Sequence, residues 1–185
     1  MSARARLLTL LTDRSFEKRR VVLASGKESD FFIDCKQTVL TAEGHALAGE
    51  LMFEALAQLT VPHRPVAVAG VELGGCPLAS AVAVVSFQRG APLDAVYVRK
   101  EAKDHGSKRL LEGNTRLARG AQVAILEDVV TTGGSTLKAA SKLEDAGYVV
   151  AGVIALVDRL EGGRAAIEGA GFKLVAIYSR ADFMS

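Results

Sequence analysis

A chain of 185 residues, 49% hydrophobic, carries enough apolar material for one substantial core. Its 23 Lys and Arg against 21 Asp and Glu leave a net charge of +2, which gives no general reason to expect nucleic acid or an anionic membrane as partner, so any anion binding must be local. No uninterrupted apolar run approaches a bilayer span, and Cys35 and Cys76 lack a CxxC or metal-ligand spacing, so a reducing cytoplasm is the expected compartment.

The first element is Arg4-Ala-Arg-Leu-Leu-Thr-Leu-Leu11, which imitates a signal peptide only superficially. Its apolar run is short and is followed at once by Asp13, Arg14 and Glu17-Lys-Arg-Arg20, as in an amphipathic helix. Val21-Val-Leu23 and Phe31-Phe-Ile-Asp34 then flank the turn-prone Ser25-Gly-Lys-Glu-Ser-Asp30, predicting a small antiparallel hairpin able to form a flap over a site. Ala46, Leu47, Leu51, Phe53, Ala55 and Leu56 recur at helical spacing between Thr41 and Leu59, with Pro62 beyond the end. Compact apolar runs at residues 66–69, 93–98, 123–126 and 149–156 predict buried strands, with helices at 78–89 and 135–146 and a last strand near 175–178. This alternation predicts an α/β fold, a mainly parallel central sheet flanked by helices, in which ligands gather at the carboxyl ends of the strands. With no repeat, low-complexity tract or linker, residues 1–185 read as one domain. A small N-terminal hood is expected over about 1–40 and the core over about 41–185.

The most informative segment is Val123-Ala-Ile-Leu-Glu-Asp-Val-Val-Thr-Thr-Gly-Gly-Ser-Thr136, an apolar strand that runs into two acids, then hydroxyls and glycines, then a helix. Glycines let backbone amides approach an anion, and the hydroxyls of Thr131, Thr132 and Ser135 can donate to phosphate oxygens beside a helix amino terminus. Glu127 and Asp128 would repel a phosphate set directly on them, but carboxylates accept hydrogen bonds from ribose hydroxyls and help hold a hydrated magnesium ion. Sugar and phosphate together read as a sugar phosphate. An ordinary capped turn would explain Gly133-Gly134 alone, but not the whole ordered pattern. The GxxxxGK[ST] pattern of a Walker-type NTPase is absent, and a GxGxxG dinucleotide reading fails too. Leu126 to Ser135 resembles the signature with which type I phosphoribosyltransferases bind phosphoribosyl pyrophosphate (PRPP). The resemblance implies that Glu127 and Asp128 hold ribose hydroxyls and that Thr131, Thr132, Gly133, Gly134 and Ser135 form the 5′-phosphate loop.

Arg99-Lys-Glu-Ala-Lys-Asp-His-Gly106 gathers cations that would suit a pyrophosphate, although a solvated loop compensated by Glu101 and Asp104 is the alternative for a generic charge cluster. The stretch resembles the mobile catalytic loop of orotate phosphoribosyltransferases, whose Arg-Lys-x-x-Lys-x-His-Gly pattern it matches completely. The resemblance implies catalytic roles for Arg99, Lys100, Lys103 and His105, in a homodimer whose loop closes over the partner subunit's site. Cations that arrive on closure stabilise charge developing on the departing pyrophosphate, and closure excludes water. His105 could be a charged donor to pyrophosphate or a proton-transfer group.

Gly70-Val-Glu-Leu-Gly-Gly-Cys-Pro-Leu-Ala79 sets paired glycines between a strand and a helix, as an anion-binding loop or as a tight turn. The resemblance points to the family's pyrophosphate loop, formed here by Glu72, Leu73, Gly74 and Gly75. Some relatives carry lysine where this chain has Gly74, so backbone amides are expected to act there. Ser25 to Asp34 resembles the family's base-recognition signature, implying orotate contacts from Lys27, Phe31 and Phe32, with Thr131 also touching the base. One of the two phenylalanines is expected to pack inward, since adjacent strand residues face opposite ways. Val157-Asp-Arg-Leu-Glu-Gly-Gly163 resembles the Asp-Arg-x-Glu-Gly motif, and Arg159 could grip the orotate carboxylate through two parallel hydrogen bonds; an exposed arginine paired with Asp158 or Glu161 is the other possibility.

Taken over most of the chain, the resemblance implies an orotate phosphoribosyltransferase without room for a decarboxylase domain. Its implied substrates are orotate and PRPP, with no nucleic acid or membrane partner. Its implied cofactor is Mg2+, carried by PRPP and reached through water by Asp128 rather than directly ligated. A purine phosphoribosyltransferase would share the fold and PRPP loop but is opposed by Lys27, Lys103, His105 and Arg159. A non-catalytic PRPP-binding regulator is opposed by the catalytic-loop pattern and the balanced charge.

Overall fold

Ser2 caps the first helix, α1 (Ala3–Arg14), by accepting the Ala5 amide N–H, and the apolar stripe buries Leu7, Leu10 and Leu11. The computed structural model describes residues 1–19, 21–22, 28–59, 64–101 and 110–184. After α1 come β1 (Phe16–Glu17), β2 (Val21–Val22), β3 (Glu28–Ser29), β4 (Phe32–Ile33) and α2 (Lys36–Val39). The expected hairpin between residues 21–23 and 31–34 is not formed. Instead β2 pairs with β3, and β4 pairs with β1, both antiparallel. The reason is aromatic: the Phe31 ring lies 5.0 Å from Phe16 and 5.7 Å from Phe183, which draws its strand to residues 16–17.

Thr41 caps α3 (Ala42–Ala55), and a single 3-10 turn, Leu56–Gln58, ends it. The core then alternates as β5 (Ala67–Val71), α4 (Gly75–Gln88), β6 (Asp94–Val98), β7 (Leu111–Glu112), β8 (Gln122–Val130), α5 (Gly134–Asp145), β9 (Val149–Asp158), α6 (Gly163–Gly169), β10 (Leu174–Ser179) and α7 (Ala181–Met184). β8 and β9 outrun their predicted apolar cores because they pair along their whole length, Glu127 opposite Ala155 and Val130 opposite Asp158. Ladder hydrogen bonds hold the backbone there regardless of side-chain polarity.

The sheet order is β10-β9-β8-β5-β6-β7, parallel except for β7. Chain direction across the sheet reverses between β5 and β8. In an open parallel sheet that switch point leaves a crevice at the carboxyl ends of the two strands. One buried cluster fills the face that carries Leu126, Ile154 and Leu156, and another fills the face that carries Val123, Ile125 and Val153. Each such fully buried side chain contributes roughly 1.5–3 kcal/mol. Leu7, Leu11, Phe31 and Ile33 belong to the first cluster together with Val68 and Tyr178, so the amino-terminal segment shares the main core. Among the described residues, no helix is long and apolar enough to cross a membrane.

Candidate active site

Glu127 and Asp128 stand at the switch point within β8, and as neighbours on a strand they project to opposite faces. Glu127 faces α5. It is 4% exposed and accepts hydrogen bonds from Ser135 Oγ and Thr136 Oγ1, each 3.0 Å long. Burial, with the charge of Asp128 second, pushes its carboxyl up to about 7, against the pull of the two hydroxyls. Asp128 faces the other way, with Oδ1 accepting the Val129 N–H at 2.9 Å. Burial raises its carboxyl as well, while the backbone hydrogen bond and the Lys36 charge oppose the rise. Lys36 is anchored by Asp34 at 2.5 Å. Thr136 and Lys36 were not among the expected site residues. Thr136 lies inside the quoted motif, but only the α5 turn reveals that it faces Glu127.

The loop after β8 needs glycine at 133, where φ is +82°, and this residue is the N-cap of α5. It is buttressed from below: the Gly163 N–H donates to the Thr131 carbonyl at 2.9 Å. The first-turn amides of α5, which a helix leaves without intrahelical acceptors, follow this loop directly. Ser135 departs from expectation, because its hydroxyl is given to Glu127 and only its backbone amide remains for an anion. Thr132 is exposed and Thr131 half-buried.

On the β5 side, Gly75 lies so close to β8 that a Cβ there would meet the Leu126 carbonyl oxygen at 2.4 Å. A Cβ on Gly74 would stand 1.9 Å from Asp128 Oδ2. Gly74 is thus the residue that admits this Asp128 position. The Glu72–Leu73 peptide is cis, and Leu73 is exposed. Glu72 corrects the expectation that it binds pyrophosphate. Its amide donates to the Val98 carbonyl at 2.9 Å, and its carboxylate accepts the Lys100 N–H at 2.7 Å, which leaves negative charge rather than a donor on that side of the loop.

Arg99 lies 3.7 Å from Glu112 and, with Lys100, Ser135, Lys138 and Lys142, lines a cavity of about 340 Å³. Lys27, Lys103 and His105 lie outside the described residues.

The base-recognition residues divide. Phe31 is 0% exposed, its ring enclosed by Phe16 and Phe183, so it is a core residue and not a ring face for a pyrimidine. Its carbonyl oxygen accepts a hydrogen bond from the Arg159 guanidinium at 2.8 Å. Phe32 is half-buried, and the Arg19 guanidinium lies 4.0 Å from its ring centroid. Arg159 is 8% exposed and ion-pairs with Glu161 at 2.9 Å, whereas Asp158 pairs with Arg164 at 3.2 Å. The Arg159 N–H donates to the Val130 carbonyl at 2.9 Å, which fixes the residue beside the loop that begins at Thr131.

A parallel sheet with paired acids and a glycine-hydroxyl loop at its switch point is the architecture of a phosphoribosyltransferase. The family described as phosphoribosyl transferase domain matches residues 40–171. The chain is 69% identical over 183 residues to an orotate phosphoribosyltransferase of Sorangium cellulosum, covering 99% of this chain and 94% of the relative. It superposes on Mycobacterium tuberculosis orotate phosphoribosyltransferase in complex with Fe(III) dicitrate at a TM-score of 0.82 and 37% identity, covering 98% of this chain and 99% of the other. The same enzyme in complex with PRPP aligns at a TM-score of 0.79 and 33% identity, with 100% of both chains covered. The chain belongs to the orotate phosphoribosyltransferase family.

Proposed function

We propose that this chain transfers the 5-phosphoribosyl group of PRPP to N1 of orotate, giving orotidine 5′-monophosphate and pyrophosphate in de novo pyrimidine (UMP) biosynthesis. The observation that carries this is the placement of Glu127 and Asp128 between the Gly133 loop and the glycine loop after β5, with buried Arg159 one strand away. The bond from orotate N1 to ribose C1 forms as the bond from C1 to the pyrophosphate oxygen breaks, and the proton on N1 is released to solvent. Glu127 and Asp128 accept from the ribose hydroxyls, and amides of residues 133–135 with Thr131 and Thr132 hold the 5′-phosphate. Amides of residues 73–75, together with Arg99, Lys100, Lys103 and His105, receive the leaving pyrophosphate. Arg159 takes the orotate carboxylate, with Lys27 and the open part of Phe32 nearby. A purine base offers no carboxylate to Arg159.

Mg2+ suits this donor set, since it favours phosphate oxygens, water and one or two carboxylates, and Asp128 supplies a carboxylate next to the glycine loop. Bound with PRPP, it would neutralise pyrophosphate charge. The working assembly in this reading is a cytoplasmic homodimer in which the 99–106 loop serves the partner subunit's site.

The direct test is loss of orotate absorbance on mixing the protein with orotate, PRPP and Mg2+, with uracil, adenine and hypoxanthine as rival bases. Turnover of orotate alone is expected; turnover of another base would remove the assignment of Arg159. Lys103→Ala is expected to lower kcat on the order of tenfold, the loss of one charge-assisted hydrogen bond, with a smaller change in KM for PRPP. An unchanged kcat takes Lys103 out of the mechanism. Gly74→Ala is expected to raise KM for PRPP on the order of tenfold, because the new methyl displaces the Asp128 carboxylate. Steady-state kinetics at varied PRPP read this directly, and a wild-type KM would mean that Asp128 can turn aside without cost.

A further inference from the structure

We propose that Lys142 is a positioning residue which, together with Glu72, clamps the root of the loop that carries Arg99 and Lys100. The Lys142 ammonium, on α5, donates to the Arg99 carbonyl at 2.7 Å and to the Lys100 carbonyl at 2.9 Å. Glu72 accepts the Lys100 N–H at 2.7 Å. The Arg99 N–H in turn donates to the Leu110 carbonyl at 2.9 Å. Both polar backbone groups of Lys100 are therefore held, one by an anion after β5 and the other by a cation on α5. Neither charged side chain is spent on the other. Charge-assisted bonds to backbone are stronger than neutral ones, and together they offset the rotamer entropy lost by a long lysine.

The placement has a consequence. α5 begins at the Gly133 loop, so the helix that offers its first amides to the 5′-phosphate also holds, through Lys142, the backbone that presents Arg99 and Lys100. The 5′-phosphate loop of one site and the root of the loop that serves the partner subunit's site are thereby tied to one rigid element. Lys142 also lines the same cavity as Arg99, Lys100 and Lys138, but its ammonium is committed to the two carbonyls. Its effect on the reaction is indirect, through the orientation of the loop root. The proposal rests on the assignment of Arg99 and Lys100 to pyrophosphate.

Lys142→Met keeps the aliphatic stem and removes the donors; Lys142→Arg keeps the charge and can reach both carbonyls. In the full chain, Lys142→Met is expected to lower kcat on the order of tenfold, as small displacements of catalytic groups do, with KM for orotate unchanged. Amide exchange over residues 99–101 should accelerate while the thermal midpoint stays at the wild-type value. Lys142→Arg should restore both exchange and kcat. Unchanged exchange in Lys142→Met would overturn the clamp. Faster exchange with wild-type kcat would overturn the positioning role while leaving orotate turnover, and so the proposed function, intact. A wild-type chain that turns over no orotate would instead remove the premise.

Discussion

Glu127→Gln is expected to weaken catalysis and strengthen the fold at the same time. The ordinary carboxyl value of 4.5 is pushed up to about 7 in the folded chain, so between these values the folded state binds more protons than the unfolded one. Stability therefore falls as pH rises through that window and stays lowered above it. The gap corresponds to roughly 3 kcal/mol at pH 8. Glutamine has the same shape and still offers an oxygen to Ser135 and Thr136, but carries no charge to desolvate. The variant should gain up to about 3 kcal/mol at pH 8 and nothing below pH 4.5, read by urea unfolding across pH. Its kcat/KM for PRPP should fall roughly ten- to a hundredfold, since a charged acceptor for the ribose hydroxyls becomes neutral. Equal stability at pH 8 would show that Glu127 ionises without cost. An unchanged kcat/KM would place the sugar elsewhere. Functional sites commonly hold charge at the expense of stability, which is the trade this variant tests at Glu127.

Arg159→Ala should be the most damaging single change at the base site. Two parallel charge-assisted hydrogen bonds to the orotate carboxylate would be lost, raising KM for orotate roughly a hundredfold with a much smaller effect on PRPP. The fold should suffer too. Glu161 is left buried without its cation and the Phe31 carbonyl loses its Arg159 donor, at a cost of about 3–5 kcal/mol. Arg159→Gln combined with Glu161→Gln separates the effects, because it removes the stranded charge while leaving orotate without its clamp. That pair should recover most of the stability and none of the orotate affinity. Equal rises in KM for both substrates in Arg159→Ala would refute its assignment to the base.

The comparison of Phe31 with Arg159 shows how far a sequence can be read. Both lie in recognisable motifs, yet one ring is sealed in the core and the other side chain, of a type usually exposed, is buried beside it. Motif spacing records that a residue is needed, not whether its side chain or its carbonyl is the part used. Phe31 contributes its carbonyl. Glu72 is similar, because its place in a glycine loop suggests anion binding while its carboxylate holds the Lys100 amide. The strand at residues 32–33 pairs away from the expected hairpin for the same reason, since Phe31 packs jointly with Phe16 and with Phe183 from the far end of the chain.

The sequence by itself determined the alternating strands and helices, the crevice at strand carboxyl ends, and the acid, hydroxyl and glycine order of residues 127–135. Apolar runs and glycine placement are local constraints, written in consecutive residues. Only the tertiary structure decided that Glu127 and Asp128 face opposite sides of the sheet with different partners, that Gly74 makes room for Asp128, and that Lys142 reaches Arg99 and Lys100. Those contacts join β5, β6, β8 and α5 across the switch point, and their energies depend on burial and distance between elements that no local pattern encodes.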